Sequence, residues 1–289
     1  MTDLGYIALV LAFMVSIYGI AVSILGARNN RLELIASGRN AVYVVSGLVL
    51  IAALLMWRAL LTNEFQVEFV ATHSERALPT LYKISALWGG QAGSLLFWSL
   101  LASIMAVSAT WFFRKEQASL KPWVNAVLLL YIGFFMSLLL FAENPFSRLW
   151  QDRTGQIVTA VFQPAGTTAL IPSDGQGLNP QLQNYWMIIH PVALYLGFVG
   201  MTVPFAFAVA ALITGQLSNT WIRLIRKWAL APWAFLTLGI LLGSQWAYIE
   251  LGWGGYWAWD PVENASFLPW LTATAFIHSI MIQERRGML

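Results

Sequence analysis

The sequence predicts an all-α fold: a polytopic integral membrane helical bundle of about seven transmembrane helices, with the N-terminus outside. Three observations carry this. Hydrophobic residues make up 58% of the chain and charged residues 10%, where a soluble domain carries about 25% charged. Several apolar runs approach or exceed the ~20 residues that cross a bilayer as a helix. The Lys and Arg residues also gather in the short segments of one side, as membrane orientation requires. The net charge of +3 is therefore read as topology. No basic cluster tracks phosphates, so nucleic acid is excluded as a partner.

The spans fall at roughly 4–25, 41–61, 94–113, 123–142, 187–214, 228–248 and 266–283. The first has no positively charged segment before it and no small-residue cleavage site after it, so it reads as a retained span and not a signal peptide. One side holds 26–40 with Arg28, Arg31 and Arg39, then 114–122 with Arg114, Lys115 and Lys121. The same side holds 215–227 with Arg223, Arg226 and Lys227, and the tail with Arg285 and Arg286. The other side holds Arg76, Lys83, Arg148 and Arg153, with Arg58 at a helix end. Short basic segments stay in the cytoplasm, which puts 62–93, 143–186 and 249–265 outside. Segment 143–186 is rich in Gly, Pro, Gln and Asn and reads as irregular. Segment 62–93 ends in ALWGGQAGS, whose glycines allow a tight turn before the third span. It lacks the spacing and the Lys of a phosphate loop. Without a repeat or a low-complexity tract, residues 1–289 read as a single membrane domain with an outer-face Trp-rich loop at about 249–265.

The chain has no cysteine and three histidines, His73, His190 and His278. Thiol nucleophiles, disulfides and thiolate-held metals are thereby excluded, and metal chemistry must run through histidine or carboxylate. His278 lies about 12 Å beyond Trp270 along a helix, near mid-membrane. Trp270, Thr274 and His278 are spaced i, i+4, i+8 and share a face. Ionisable groups inside spans are usually functional, and neutral imidazole is a common iron ligand. A structural histidine bonded to a neighbouring helix stays equally open. His190 precedes Pro191 in what reads as a first helical turn at the outer interface, where histidines are ordinary. His73 reads as a solvated loop residue beside Ser74, Glu75 and Arg76.

The densest stretch is WGGYWAWDPVENASFLPW, residues 253–270. Trp253, Trp257, Trp259 and Trp270 interleave with Gly254, Gly255, Asp260, Pro261, Glu263 and Asn264. Tryptophans anchor membrane interfaces in general, but four within this stretch suit a flat aromatic ligand held between rings. Asp260-Pro261 and Asn264 also read as turn and helix-start chemistry, so Asp260 and Glu263 read as caps before they read as acid–base groups.

These residues carry a resemblance. WGGYWAWDPVENASFLPW resembles the tryptophan-rich WWD signature of haem-handling membrane proteins, and within that group the CcmF-type cytochrome c haem lyase subunits with their nitrite-reductase-specific relatives. HSERALPTLYKISALWGGQAGS at 73–94, AENPFSRL at 142–149, IIHPVALYLGFVG at 188–200 and IHSIMIQERRG at 277–287 follow in family order. The resemblance implies haem handling and covalent attachment of haem to apocytochrome c within a cytochrome c maturation complex. It implies that His190 ligates the haem being delivered on the outer face, presented by Trp253, Trp257, Trp259 and Asp260. Gly254, Gly255, Pro261, Glu263, Asn264 and Trp270 support that surface. His278 would ligate the iron of a resident haem b. The implied partners are a CcmE-type haem chaperone, a CcmH-type subunit and an apocytochrome c bearing CxxCH thiols. The implied location is the bacterial inner membrane with the Trp-rich loop on the periplasmic face. Gln91 and Ala92 stand where many relatives carry His and Glu, so no ligand role falls there. Family members are usually about twice as long and carry a second outer and a second membrane histidine downstream. The expectation is a split or truncated lyase, its N-terminal part, completed by a downstream half or second lyase subunit that supplies the other axial histidines. The rival readings are a haem-binding or haem-exporting membrane protein without ligation activity, and a non-catalytic scaffold subunit.

Overall fold

A computed structural model describes residues 2–113, 119–216 and 219–286. Arg114 and Lys115 of the orientation pattern lie outside the described residues. All seven expected spans are helices long and apolar enough to cross a membrane. In chain order these are α1 (Thr2–Arg28), α2 (Leu32–Leu61), α5 (Gln91–Phe112) and α6 (Lys121–Phe141), then α7 (Tyr185–Gly200) with α8 (Thr202–Thr214), α9 (Asn219–Glu250) and α10 (Pro261–Arg286). Two short helices, α3 (Glu68–His73) and α4 (Thr80–Ser85), lie between α2 and α5. The chain is thus a multi-pass helical membrane protein.

The chain divides into two compact units, and α1, α2, α5 and α6 each contribute to both. The first unit comprises 1–16, 44–100 and 132–183. Its core buries Met56, Leu60, Phe65, Leu87, Leu96 and Phe146 completely or nearly so. Segment 143–186 is not irregular throughout. It folds a three-stranded antiparallel sheet in the order β2-β1-β3, from β1 (Arg148–Gln151), β2 (Ile157–Ala160) and β3 (Thr168–Ala169). The turn explains the hairpin: Asp152 Oδ1 accepts bonds from the backbone N–H of Thr154 and Gln156 and from the Thr154 hydroxyl, an Asx turn that reverses the chain. Arg148 reaches Asp3 of α1 at 2.7 Å, tying the sheet to the first helix.

The second unit comprises 17–43, 101–131 and 184–289. The fifth span starts two residues earlier than its apolar run, because Asn184 caps α7 by accepting the Trp186 N–H at 2.8 Å. Pro191 therefore sits in the second turn and not the first. The span also breaks at Met201 between α7 and α8. Pro204 explains the break, since it has no N–H for the Gly200 carbonyl. The α7–α9 approach is set by small residues. A methyl group at Gly197 would come within 2.7 Å of Leu236, at Gly239 within 2.7 Å of Leu194, and at Gly200 within 2.4 Å of Pro232. Gly239 and Gly243 form a G-x-x-x-G step on α9, the spacing that lets membrane helices close to near-backbone distance.

Candidate functional site

The candidate site lies wholly in the second unit, around α7, α9, α10 and the 251–260 connection. Its centre is His190. The Nδ1 of His190 donates to the Gly239 carbonyl at 2.8 Å, and the ring stacks on Trp246 at 6.2 Å and 12°. A carbonyl can only accept, so Nδ1 carries a proton, and in the neutral ring the lone pair is then on Nε2, the tautomer a metal ligand needs. Gly243 makes room for this ring: a methyl there would lie 2.4 Å from His190 Cε1.

The 251–260 connection is fastened at both ends. Tyr256 stacks on Tyr248 of α9 at 4.4 Å and 8°, and Asn184 donates to Glu250 at 2.6 Å. Gly252 and Gly254 have φ of 71° and 72°, left-handed values open to glycine at little cost. Trp253 is exposed and donates its Nε1–H to Gly255 O at 2.6 Å. Trp257 is half-buried, edge-on to Trp259 and Phe267, and its Nε1–H is buried without a partner. Trp259 is 65% exposed although its φ is +60°. A bulky residue held left-handed with its ring in the open is a strained arrangement of the kind that clusters at ligand-binding surfaces.

Asp260 and Glu263 form a reciprocal cap on α10. Asp260 Oδ1 accepts the Glu263 N–H at 2.7 Å, while Glu263 Oε2 accepts the N–H of Ala258 at 2.7 Å and of Asp260 at 3.3 Å. Pro261 takes the first helical position, where its missing N–H costs nothing. The Asn264 amide donates to Trp259 O at 2.9 Å and holds the loop against the cap. Asp260→Ala is expected to destabilise α10 by about 1 kcal/mol, with Asp260→Asn close to wild type. Thermal unfolding of the detergent-solubilised chain measures this. Acid–base work by Asp260 would instead show as lost activity in Asp260→Asn at unchanged stability.

Further along, Trp270 and Trp233 stack at 6.2 Å and 18°. Each indole N–H donates to a threonine hydroxyl on the facing helix, Trp233 to Thr274 at 2.8 Å and Trp270 to Thr237 at 2.7 Å. Each threonine donates to its own tryptophan's carbonyl one turn back, at 2.7 to 2.8 Å. This two-way clamp locks α9 to α10. Trp233, Thr237, Trp246, Gly239 and Gly243 are site residues that the sequence reading missed. The W-x-x-x-T pattern at 233–237 and 270–274 and the G-x-x-x-G step were the available signals.

His278 does not share the packed face of Trp270 and Thr274. It is exposed, its Nδ1 donating to the Thr274 carbonyl of its own helix at 2.8 Å. Four residues advance an α-helix by about 40° past a full turn, so His278 sits about 80° round from Trp270. The bond again occupies Nδ1 and not Nε2.

His73 departs from the solvated reading. In the first unit it is half-buried, stacked on Phe69 at 4.4 Å, with Nδ1 near Thr72 Oγ1 at 2.8 Å and Phe69 O at 3.1 Å. Burial pushes its imidazole below the ordinary range, against the opposing bond to Phe69. It lines a polar cavity of about 480 Å³ with Glu68 and Glu143. Burial also raises the Glu68 carboxyl, with Thr159 opposing and Glu143 adding to the shift. Among the described residues no cluster of three or more His, Asp or Glu could hold a bare metal ion.

The fold and site define a class: a multi-pass helical membrane protein with an aromatic loop and two histidines whose Nδ1 is bonded to a backbone carbonyl. The cytochrome C assembly protein family matches residues 88–288, and the chain belongs to that family. It is 40% identical over 286 residues to the cytochrome c-type biogenesis protein CcmF of Haemophilus influenzae, covering 99% of this chain and 41% of the relative. It is 42% identical over 287 residues to CycK of Rhizobium meliloti, covering 99% and 40%. To NrfE of Haemophilus influenzae it is 37% identical over 286 residues, covering 99% and 42%. A solved structure titled Cytochrome c Heme Lyase CcmF superposes with a TM-score of 0.81 at 33% identity, covering all of this chain and 43% of that one. The chain is thus of CcmF type and corresponds to the N-terminal part of such proteins. It spans about two fifths of the length of these relatives.

Proposed function

We propose that the chain handles haem and contributes to its covalent attachment to apocytochrome c, as part of a cytochrome c maturation complex. The observation that carries this reading is the state of His190. Its Nδ1–H is committed to Gly239 O and its ring is held between Gly243 and Trp246, which leaves Nε2 for iron. The delivered haem is the substrate, with Trp253, Trp257 and Trp259 offering ring faces and edges to a planar macrocycle. Trp257's orphan Nε1–H is a donor to such a ligand. Asp260 sets the loop through its cap.

Attachment adds each CxxCH thiol S–H across a haem vinyl group. One C–S and one C–H bond form while the vinyl double bond becomes single, and nothing leaves. The lyase therefore needs no nucleophile of its own, in keeping with a chain that lacks cysteine. Its contribution is orientation of haem and thiols.

The donor at His278 fits a resident haem b, which when bound supplies an electron to the incoming iron. The imidazole is exposed, and a downstream half or second lyase subunit would supply the other histidine that holds the group. A CcmE-type chaperone, a CcmH-type subunit and the apocytochrome are the further partners. The setting is the bacterial inner membrane, one membrane domain with the loop at about 249–265 on the periplasmic face.

Covalent cytochrome c formation in cells lacking the chain tests the function. Loss of haem-stained cytochrome c is expected, and restoration on re-expression. Normal maturation in its absence would overturn the lyase reading in favour of haem binding without ligation.

A further inference from the structure

We infer that the second unit holds a site for an anionic phospholipid, apart from the haem-handling region. A cavity of about 260 Å³ opens among the start of α2, the end of α5, the start of α6 and Phe207 of α8. Its walls are largely apolar, with Leu32, Ile35, Phe113 and Phe207 prominent, and among the described residues they carry two cations, Arg39 and Lys121, and no carboxylate. Arg39 is exposed and appears in none of the ion pairs formed among the described residues.

The placement selects the ligand. Lys121 is the first residue of α6 and Arg39 lies about 10 Å into α2. Both cations are thus near span ends, at the depth of lipid phosphates, where Lys and Arg side chains reach for the interface. Two cations over an apolar pit match a phosphate diester that carries an acyl chain. They do not match a free anion, which has no use for the pit, or a zwitterionic lipid, whose ammonium one of the cations would repel. The volume falls below that of pockets enclosing a whole drug-sized molecule, so it takes the head-proximal stretch of a chain and leaves the rest in the bilayer. Basic pockets between membrane helices bind anionic headgroups by this division of labour.

The experiment uses the full chain in nanodiscs of phosphatidylcholine with or without phosphatidylglycerol, with bound lipid counted by native mass spectrometry on release. Wild type is expected to retain phosphatidylglycerol in preference to phosphatidylcholine. Arg39→Gln and Lys121→Gln should each lower that preference about fivefold and the double variant about 25-fold, from about 1 kcal/mol per cation near a membrane surface. Arg39→Lys should restore it, which separates charge from folding. Ala109→Leu, which fills the pit while keeping both cations, should also weaken retention. Equal retention of the two lipids, or a double variant that matches wild type, overturns the proposal. So does full competition by inorganic phosphate, which would make the site one for a free anion.

Discussion

Gly243→Ala is expected to lower covalent haem attachment about 100-fold while leaving helical content near wild type. The new methyl would stand 2.4 Å from His190 Cε1 and 2.6 Å from Nδ1, closer than non-bonded carbon atoms approach. Relief by parting the helices would give up the close α7–α9 approach that Gly197, Gly200 and Gly239 permit. The imidazole is the part that yields, and in yielding it gives up the Gly239 bond and the Trp246 stack. Losing a ligand's positioning partner typically costs 10–100-fold in metal affinity, and displacement by about 1 Å costs a similar factor in rate. Holocytochrome yield in cells expressing the variant with its partner subunits measures this. Gly47→Ala is the control, because nothing lies within 4 Å of a methyl there. A double-mutant cycle isolates the cause: in a His190→Ala background, Gly243→Ala should have almost no further effect. If Gly243→Ala matures cytochrome c like wild type, the held imidazole is not the working one.

What the sequence revealed and what it hid divide along physical lines. Spans were legible because bilayer thickness imposes a length on every apolar run, and all seven are present. The cap at Asp260 and Glu263 was legible because helix starts are built from residues a few positions apart. The sheet at 148–169 was hidden, since strands of two to four residues are too short for alternation to register. The partner of His190 was hidden for a different reason: Gly239 is 49 residues away, and no local period encodes which carbonyl a facing helix will offer. The burial of His73 was missed because the reading rested on the polar Ser74, Glu75 and Arg76 that follow it, whereas its ring stacks on Phe69 one helical turn before it and lies against Gly90. The direction of His278 was obscured by treating i, i+4, i+8 as one face, when each such step turns about 40° further.

His278→Ala is expected to remove at least about nine tenths of the chain's non-covalent haem while moving the unfolding midpoint little, from the 10–100-fold loss typical of a disrupted ligand set and the small cost of a surface change. Two features of the residue make the effects separable. The imidazole is exposed and, among the described residues, bonds back to Thr274 O of its own helix, so truncation there opens little space and costs that bond alone. The packing of α9 on α10 rests instead on the Trp233, Thr237, Trp270 and Thr274 clamp. A scaffold role would predict the reverse, a histidine whose loss weakens the fold. The pyridine haemochrome of the purified complex measures haem b, and circular dichroism measures the midpoint. Added imidazole should restore part of the visible spectrum in His278→Ala, because the free base can occupy the vacated axial position. Unchanged haem b in the variant would exclude His278 as the ligand. Haem loss accompanied by a large fall in midpoint, without imidazole rescue, would make it a structural residue. The exposure of His278 adds a further expectation under the proposed function: haem b should appear only when the proposed downstream partner is co-expressed, since one histidine on an open helix face offers one ligand and no pocket.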